Sequence, residues 1–143
     1  MGLGVPLAAA ALSGALLGGA AASPAAPVRD GSASAAEIES ADRIAIAPLQ
    51  EFERRGGVEE ARHALAAARD ARDRLESARV ADRFAAARRE ELAFFNHLVP
   101  GFEAYLARPG AEGALGTLKG IVARGRRHRE LAREALRKET RTR

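Results

Sequence analysis

Apolar side chains recur every three to four positions along most of this chain, which is the spacing of one face of an α-helix. A first helix is predicted to begin at Ser34, because Ser34 and Glu37 have the spacing of a capping box. Pro48 lacks a backbone donor, so we expect a kink or a break near Ala47. Gly56-Gly57 is expected to end the helix. The apolar positions of this segment are Ile38, Ala41, Ala45, Leu49 and Phe52.

A second helical region is predicted from Val58 to about Val99. One apolar seam ends at Leu75 and another begins there, but the two are out of phase by a step of three. A continuous helix would rotate its apolar face at this point, so we expect a bend, or two helices that meet, around Ser77 to Asp82. The first seam consists of Val58, Ala61, Leu65, Ala68, Arg72 and Leu75, and the second of Leu75, Ala78, Asp82, Ala85, Arg89, Leu92 and Val99.

Pro100-Gly101 is expected to stop this region, and a short turn or helix should follow from Phe102 to Ala107. A last helix is predicted from about Gly113 to Glu139. Its spacing Gly116-x-x-x-Gly120 would allow close helix approach, or it marks a frayed helix that starts late. The apolar seam of this helix consists of Leu115, Leu118, Val122, Ala132 and Leu136.

No segment shows the alternation of a β-strand, so the chain is predicted to be all-α. We expect a small antiparallel three- or four-helix bundle with one long helix, bent or divided near its middle, preceded by a signal-like N-terminal helix. In domain terms, residues 1–22 are a signal peptide or N-terminal anchor, residues 23–33 a flexible linker, and residues 34–143 a helical domain with a basic C-terminal helix.

The first 22 residues have no charged side chain and end in Ala20-Ala21-Ala22 before Ser23-Pro24. This is typical of an export signal followed by a small-residue cleavage site, although no Lys or Arg opens it. The segment is also long enough for a membrane anchor, although Ala and Gly insert weakly. An Ala-rich core helix is the third interpretation. We expect an exported protein, periplasmic or secreted, with anchoring by residues 1–22 as the alternative.

Composition restricts the chemistry further. The 143 residues contain no cysteine, which excludes disulfides and thiolate sites. The net charge is only +4, and Arg outnumbers Lys by 21 to 2. An Ala-rich sequence predicts helix contacts that bury little area, so a homo-oligomer is one way to bury more.

Aromatic residues cluster within twelve positions, around His97 and Pro100. One interpretation is a hydrophobic plug where helices meet. The other is a small-molecule or peptide recognition surface. The residues of this possible surface are Phe94, Phe95, His97, Phe102 and Tyr105.

Glu60 and His63 have the Glu-x-x-His spacing found in di-metal helical bundles. Such sites need two of these steps and two further glutamates, whereas His97 and His128 have no acid three residues before them. A solvated His63 is the simpler interpretation. No nucleophile–base arrangement or Gly-rich phosphate loop is found either. We therefore expect no catalytic residues, no metal and no cofactor, and a protein that is not an enzyme.

The C-terminal segment from Arg124 to Arg143 has nine Lys and Arg residues against three Glu. On a helix, four of these arginines form one stripe, which could hold the phosphates or carboxylates of a polyanion. The alternative is a solvated helix face stabilised by its own ion pairs. The stripe consists of Arg126, Arg129, Arg133 and Arg137.

Together these observations favour a non-catalytic exported helical protein that acts as a cell-envelope or extracellular interaction module. Its partner would be an unknown protein or envelope component. The alternative is a polyanion-binding protein that uses the Arg-rich C-terminal helix on an anionic polymer, an anionic membrane surface or a nucleic acid. Export makes nucleic acid the least expected of these partners.

Overall fold

The computed structural model describes residues 31–141, and side chains are described from Ala33 onward. These residues form four helices and no strand, which confirms the all-α prediction. The predicted signal segment 1–22 and most of the predicted linker lie outside the described residues. The helices are α1 (Gly31–Arg55), α2 (Val58–Ser77), α3 (Ala85–Ala107) and α4 (Ala114–Arg141), with a 3-10 turn at Asp82–Phe84 before α3.

Short connections make successive helices antiparallel neighbours. Only Gly56 and Gly57 separate α1 from α2, and the Gly56 N–H donates to the Phe52 carbonyl. Gly56 has a φ of 70°, a left-handed conformation that glycine adopts without strain. The predicted end of the first helix is therefore confirmed.

The core lies around α3, which packs against all three other helices. The Phe102 ring meets the Phe52 ring of α1 edge to face, with centroids 5.0 Å apart, and Tyr105 packs on the same ring at 6.1 Å. Such edge-to-face pairs add stability beyond the buried area. All five predicted apolar positions of α1 are buried. The seam of α2 is narrower, since four of its six buried residues are alanines.

Two glycines let α3 and α4 approach closely. A Cβ at Gly125 would lie 3.2 Å from the His97 Cβ and 3.3 Å from a Phe94 ring carbon. A Cβ at Gly101 would lie 2.8 Å from the Ile121 Cγ2. Gly116 and Gly120, the glycines noted in the sequence, have no such close neighbours. The prediction that their spacing allows close helix approach is therefore wrong.

Two local predictions are wrong, the capping role of Ser34 and the stop at Pro100, and the break allowed for near Ala47 does not occur. Ser34 is inside α1, where its hydroxyl accepts a hydrogen bond from the Ala81 N–H at 2.9 Å instead of capping the helix. Neither proline breaks its helix, because α1 continues past Pro48 and α3 past Pro100. In α3 the residues after the proline are core residues, and their burial offsets the lost hydrogen bond.

The predicted long helix is two helices, α2 and α3, which meet at the expected place. The second predicted seam is wrong for the first half of α3, because Ala85 and Arg89 are exposed, whereas its last member, Val99, is buried as predicted. The buried face of α3 is instead rotated toward Ala87, Glu91, Phe94, Phe95, Leu98, Val99, Gly101, Phe102 and Tyr105.

Helices α1 and α4 lie side by side but approach each other closely at only a few positions. Ion pairs bridge this α1–α4 seam, from Arg129 to Asp42 and from Arg126 to Glu53. Two grooves lie along it, one on each side of these bridges. No helix among residues 31–141 is long and apolar enough to cross a membrane.

Candidate anion-binding face of the last helix

The predicted arginine stripe of α4 faces α1 for most of its length. Arg126 binds Glu53 and Arg129 binds Asp42, so two of the four guanidinium groups are hydrogen-bonded to carboxylates. Arg133 lies 3.6 Å from Asp42 and its side chain is about half exposed. Arg137 is exposed at the edge of the groove between α1 and α4. The stripe therefore serves largely to join α4 to α1.

The Arg129–Asp42 pair is the more buried of the two hydrogen-bonded bridges. The guanidinium donates to both carboxylate oxygens of Asp42, at 2.6 and 2.8 Å. This two-bond arrangement is the most favourable geometry for an arginine and a carboxylate. Asp42 is only 7% exposed, so the pair is shielded from water and salt.

Glu91 of α3 lies beneath this pair and is 1% exposed. Burial, together with the hydrogen bond to Asp42 and the negative charge of Asp42, raises the pKa of Glu91 to about 9. The pKa of Asp42 moves the other way: burial opposes ionisation, but the hydrogen bonds from Arg129 and Glu91 hold it below its ordinary value. At neutral pH, Glu91 is thus a carboxylic acid that donates to the Asp42 carboxylate. The cluster then combines one anion, Asp42, with the half-buried Arg129, and Arg133 lies at its edge.

Sequence reasoning missed Glu91, although a signal was present. Glu91 follows Ala87 by four positions and precedes Phe94 by three, so it occupies an apolar seam position of α3. An acidic residue at such a position needs a partner or a proton. The second predicted seam had placed the wrong face of α3 in the core.

A second stripe of α4 faces solvent. Two cations in its first half, Arg124 and Arg127, are exposed, and so are Lys138 and Arg141 near its end. No ion pair joins these four cations to a carboxylate of the described residues. Leu131, which is 50% exposed, and Glu134 lie on the same face between them. We call Arg124, Arg127, Lys138 and Arg141 the outer stripe.

The aromatic cluster fills the core. Phe94, Phe95 and Phe102 are 0% exposed and Tyr105 is 8% exposed, so these rings present no surface to a ligand in this structure. The half-buried His97 stacks on His128 of α4, with ring centroids 5.0 Å apart. The buried aromatic rings therefore form a hydrophobic plug between the helices.

Both stacked histidines have hydrogen-bond partners. His97 Nδ1 donates to the Ala93 carbonyl at 2.9 Å, and His128 Nδ1 lies 2.6 Å from a carboxylate oxygen of Glu90. His63 is exposed on α2. No group of three or more potential metal ligands occurs among residues 31–141.

Comparison with known protein families, with curated proteins and with solved structures finds no match to this chain.

Proposed function

We propose that this chain is a non-catalytic, exported interaction module that binds an anionic polymer through the outer stripe of α4. The single observation that supports this function is the outer stripe itself, four exposed cations without a carboxylate partner in the described part of the chain. Clustered cations on one helix face attract phosphate or carboxylate groups that repeat along a polymer.

The ion pairs between α1 and α4 explain why the outer stripe, and not the inner arginines, is proposed to bind the polymer. Arg126 and Arg129 are already bound to Glu53 and Asp42, and a polymer would have to displace these carboxylates to reach them. Arg137, exposed beside the outer stripe, extends the binding face toward α1.

Contact with the partner is electrostatic. An amphipathic helix binds a membrane by inserting a broad apolar face. In α4 that face packs in the core through Leu118, Val122, Ala132 and Leu136. Leu131 is the one large apolar side chain exposed in the outer stripe region, so an anionic polymer fits better than an inserted membrane.

Two triple variants of the full chain test the proposal. Changing Arg127, Arg137 and Lys138 to Gln removes three positive charges from the α4 face. Changing Arg79, Arg89 and Arg108 to Gln removes the same charge from exposed positions elsewhere. On a heparin column, the first variant should elute at markedly lower salt than the wild type, and the second should elute close to it.

Equal losses in the two variants would show that only net charge matters, and would contradict the proposal. Failure of the wild type to bind heparin or anionic polyphosphate at low salt would also contradict it. Circular dichroism of each variant controls for folding, which exposed substitutions should leave intact.

Export is part of the same proposal and rests on the uncharged stretch of residues 1–22. Mass spectrometry of the native protein should find an N-terminus at or near Ser23. An intact N-terminus in a membrane fraction would support the anchor instead, and one in the cytosol would contradict export.

A further inference from the structure

The groove on the far side of the ion pairs lies between the end of α1 and the first half of α4. Its volume is about 510 Å³, which is within the range of small-molecule sites. Phe52 and Val122 lie at its floor, 2% and 4% exposed. Leu115, which is 38% exposed, and Ala123 contribute to its α4 wall.

Charge at this groove is unbalanced. Its lining contains four cations, Arg54, Arg55, Lys119 and Arg126, but only one carboxylate, Glu53. Glu53 is bound by Arg126, and Glu51, just outside the lining, pairs with both Arg54 and Arg55. Counting Glu51, two positive charges remain in excess. Lys119 has no ion pair with a described carboxylate.

We propose that this groove binds a single-chain amphiphilic anion, a hydrocarbon chain with a phosphate or carboxylate head. The head would pair with Lys119, and the chain would lie against Leu115, Phe52 and Val122. The occupant is a free amphiphile, because walls from two helices flank the groove and the Arg126–Glu53 bridge closes one end.

Other occupants fit less well. A second copy of this chain would have to bring an acidic apolar segment to a cationic rim, and the exposed large apolar residues in the described chain are only Leu115 and Leu131. The uncharged segment 1–22 offers no anion for Lys119. Charge complementarity therefore favours the amphiphilic anion.

This site is independent of the proposed function, because no residue of the outer stripe lines the groove. The probes are hexyl and octyl phosphate and octanoate, each below its micelle-forming concentration, titrated into the full chain by calorimetry. Inorganic phosphate serves as the headless control. We expect one molecule bound per chain, with affinity rising roughly two- to fourfold for each added methylene group.

Lys119→Glu should weaken binding of octyl phosphate roughly tenfold or more, since it replaces the attracting charge with a repelling one. Lys138→Glu is the matched control, because it makes the same charge change at the other end of α4 and should leave octyl phosphate binding unchanged. The outer stripe predicts the reverse for heparin, so the two proposals can fail separately.

Three results would overturn the site. One is an affinity that does not depend on the length of the hydrocarbon chain, or that is as high for inorganic phosphate as for octyl phosphate. The second is binding to anionic vesicles but not to free octyl phosphate. The third is a dimer in sedimentation that Leu115→Glu converts to a monomer, because the groove would then be covered by a second copy.

Discussion

At the scale of residues, burial divides the arginines of α4 into two classes. Arg129 and Arg126 hold carboxylates of α1, whereas the outer stripe faces water. Sequence spacing showed that a stripe exists, but the angle at which α4 packs on α3 decides which face is free. That angle depends on Gly101 and Gly125, whose role appears only when the two helices are brought together.

Replacing Arg129 should therefore be costly for stability. Arg129→Gln leaves the Asp42 carboxylate nearly buried without its main partner, and we expect it to lower the free energy of unfolding by about 2–3 kcal/mol. Arg133, at 3.6 Å, limits the loss. Arg137→Gln, at an exposed position, should change it by less than about 0.5 kcal/mol. Urea denaturation measures the free energy of unfolding of each variant. Similar losses in the two variants would contradict the division of the arginines into paired and exposed classes.

Glu91 makes stability depend on pH. Its pKa is raised in the folded state, so between its ordinary value of 4.5 and about 9 the folded protein binds more protons than the unfolded chain. Stability contributed by the proton is complete below pH 4.5 and is lost as the pH rises toward 9, with a slope of at most about 1.4 kcal/mol per pH unit.

Glu91→Gln should remove this slope, because an amide can donate to Asp42 without a titrating proton. The variant should be at least as stable as the wild type at pH 8. Glu112→Gln, at an exposed position, should keep the wild-type slope. Urea titrations of the wild type measure the free energy of unfolding from pH 6 to 9. A value that does not change over this range would contradict the claim that Glu91 is buried as a protonated acid.

At the scale of elements, the spacing of apolar residues predicted most helix faces and boundaries, whereas single residues such as proline did not predict where helices end. The seams of α1 and α4 and the boundary between α2 and α3 follow from spacing, apart from the exposed Leu115. The stop predicted at Pro100 was wrong because burial of the residues after it outweighed the local cost of the proline. The face of α3 was missed because a charged residue, Glu91, occupies its buried seam.

Replacing a glycine of α3 and a glycine of α4 by alanine should change stability in opposite directions. Gly101→Ala would place a methyl group 2.8 Å from Ile121, and we expect a net loss of about 1 kcal/mol. Gly120→Ala has room, so it should gain about 0.5–1 kcal/mol from helix propensity. Thermal melts followed by circular dichroism compare the two, and stabilisation by both would contradict the close crossing of α3 and α4.

At the scale of the whole molecule, α4 has a structural and a proposed binding role. Its inner face supplies core residues from Leu118 to Leu136, so deleting the basic segment would also remove part of the core. Charge substitutions are consequently the sound way to separate binding from folding. No sequence pattern indicated the sparse contact between α1 and α4, because it depends on how all four helices are arranged.

Amide chemical-shift mapping tests the central claim most directly, since it locates the binding surface without any substitution. Isotope-labelled full chain would be titrated with a short heparin oligosaccharide at low salt. We predict that the shifted amides cluster in α4 from Arg124 to Arg141, and that the shifts disappear as salt is raised. Shifts centred on α2 or α3, or no shifts at all, would contradict the account.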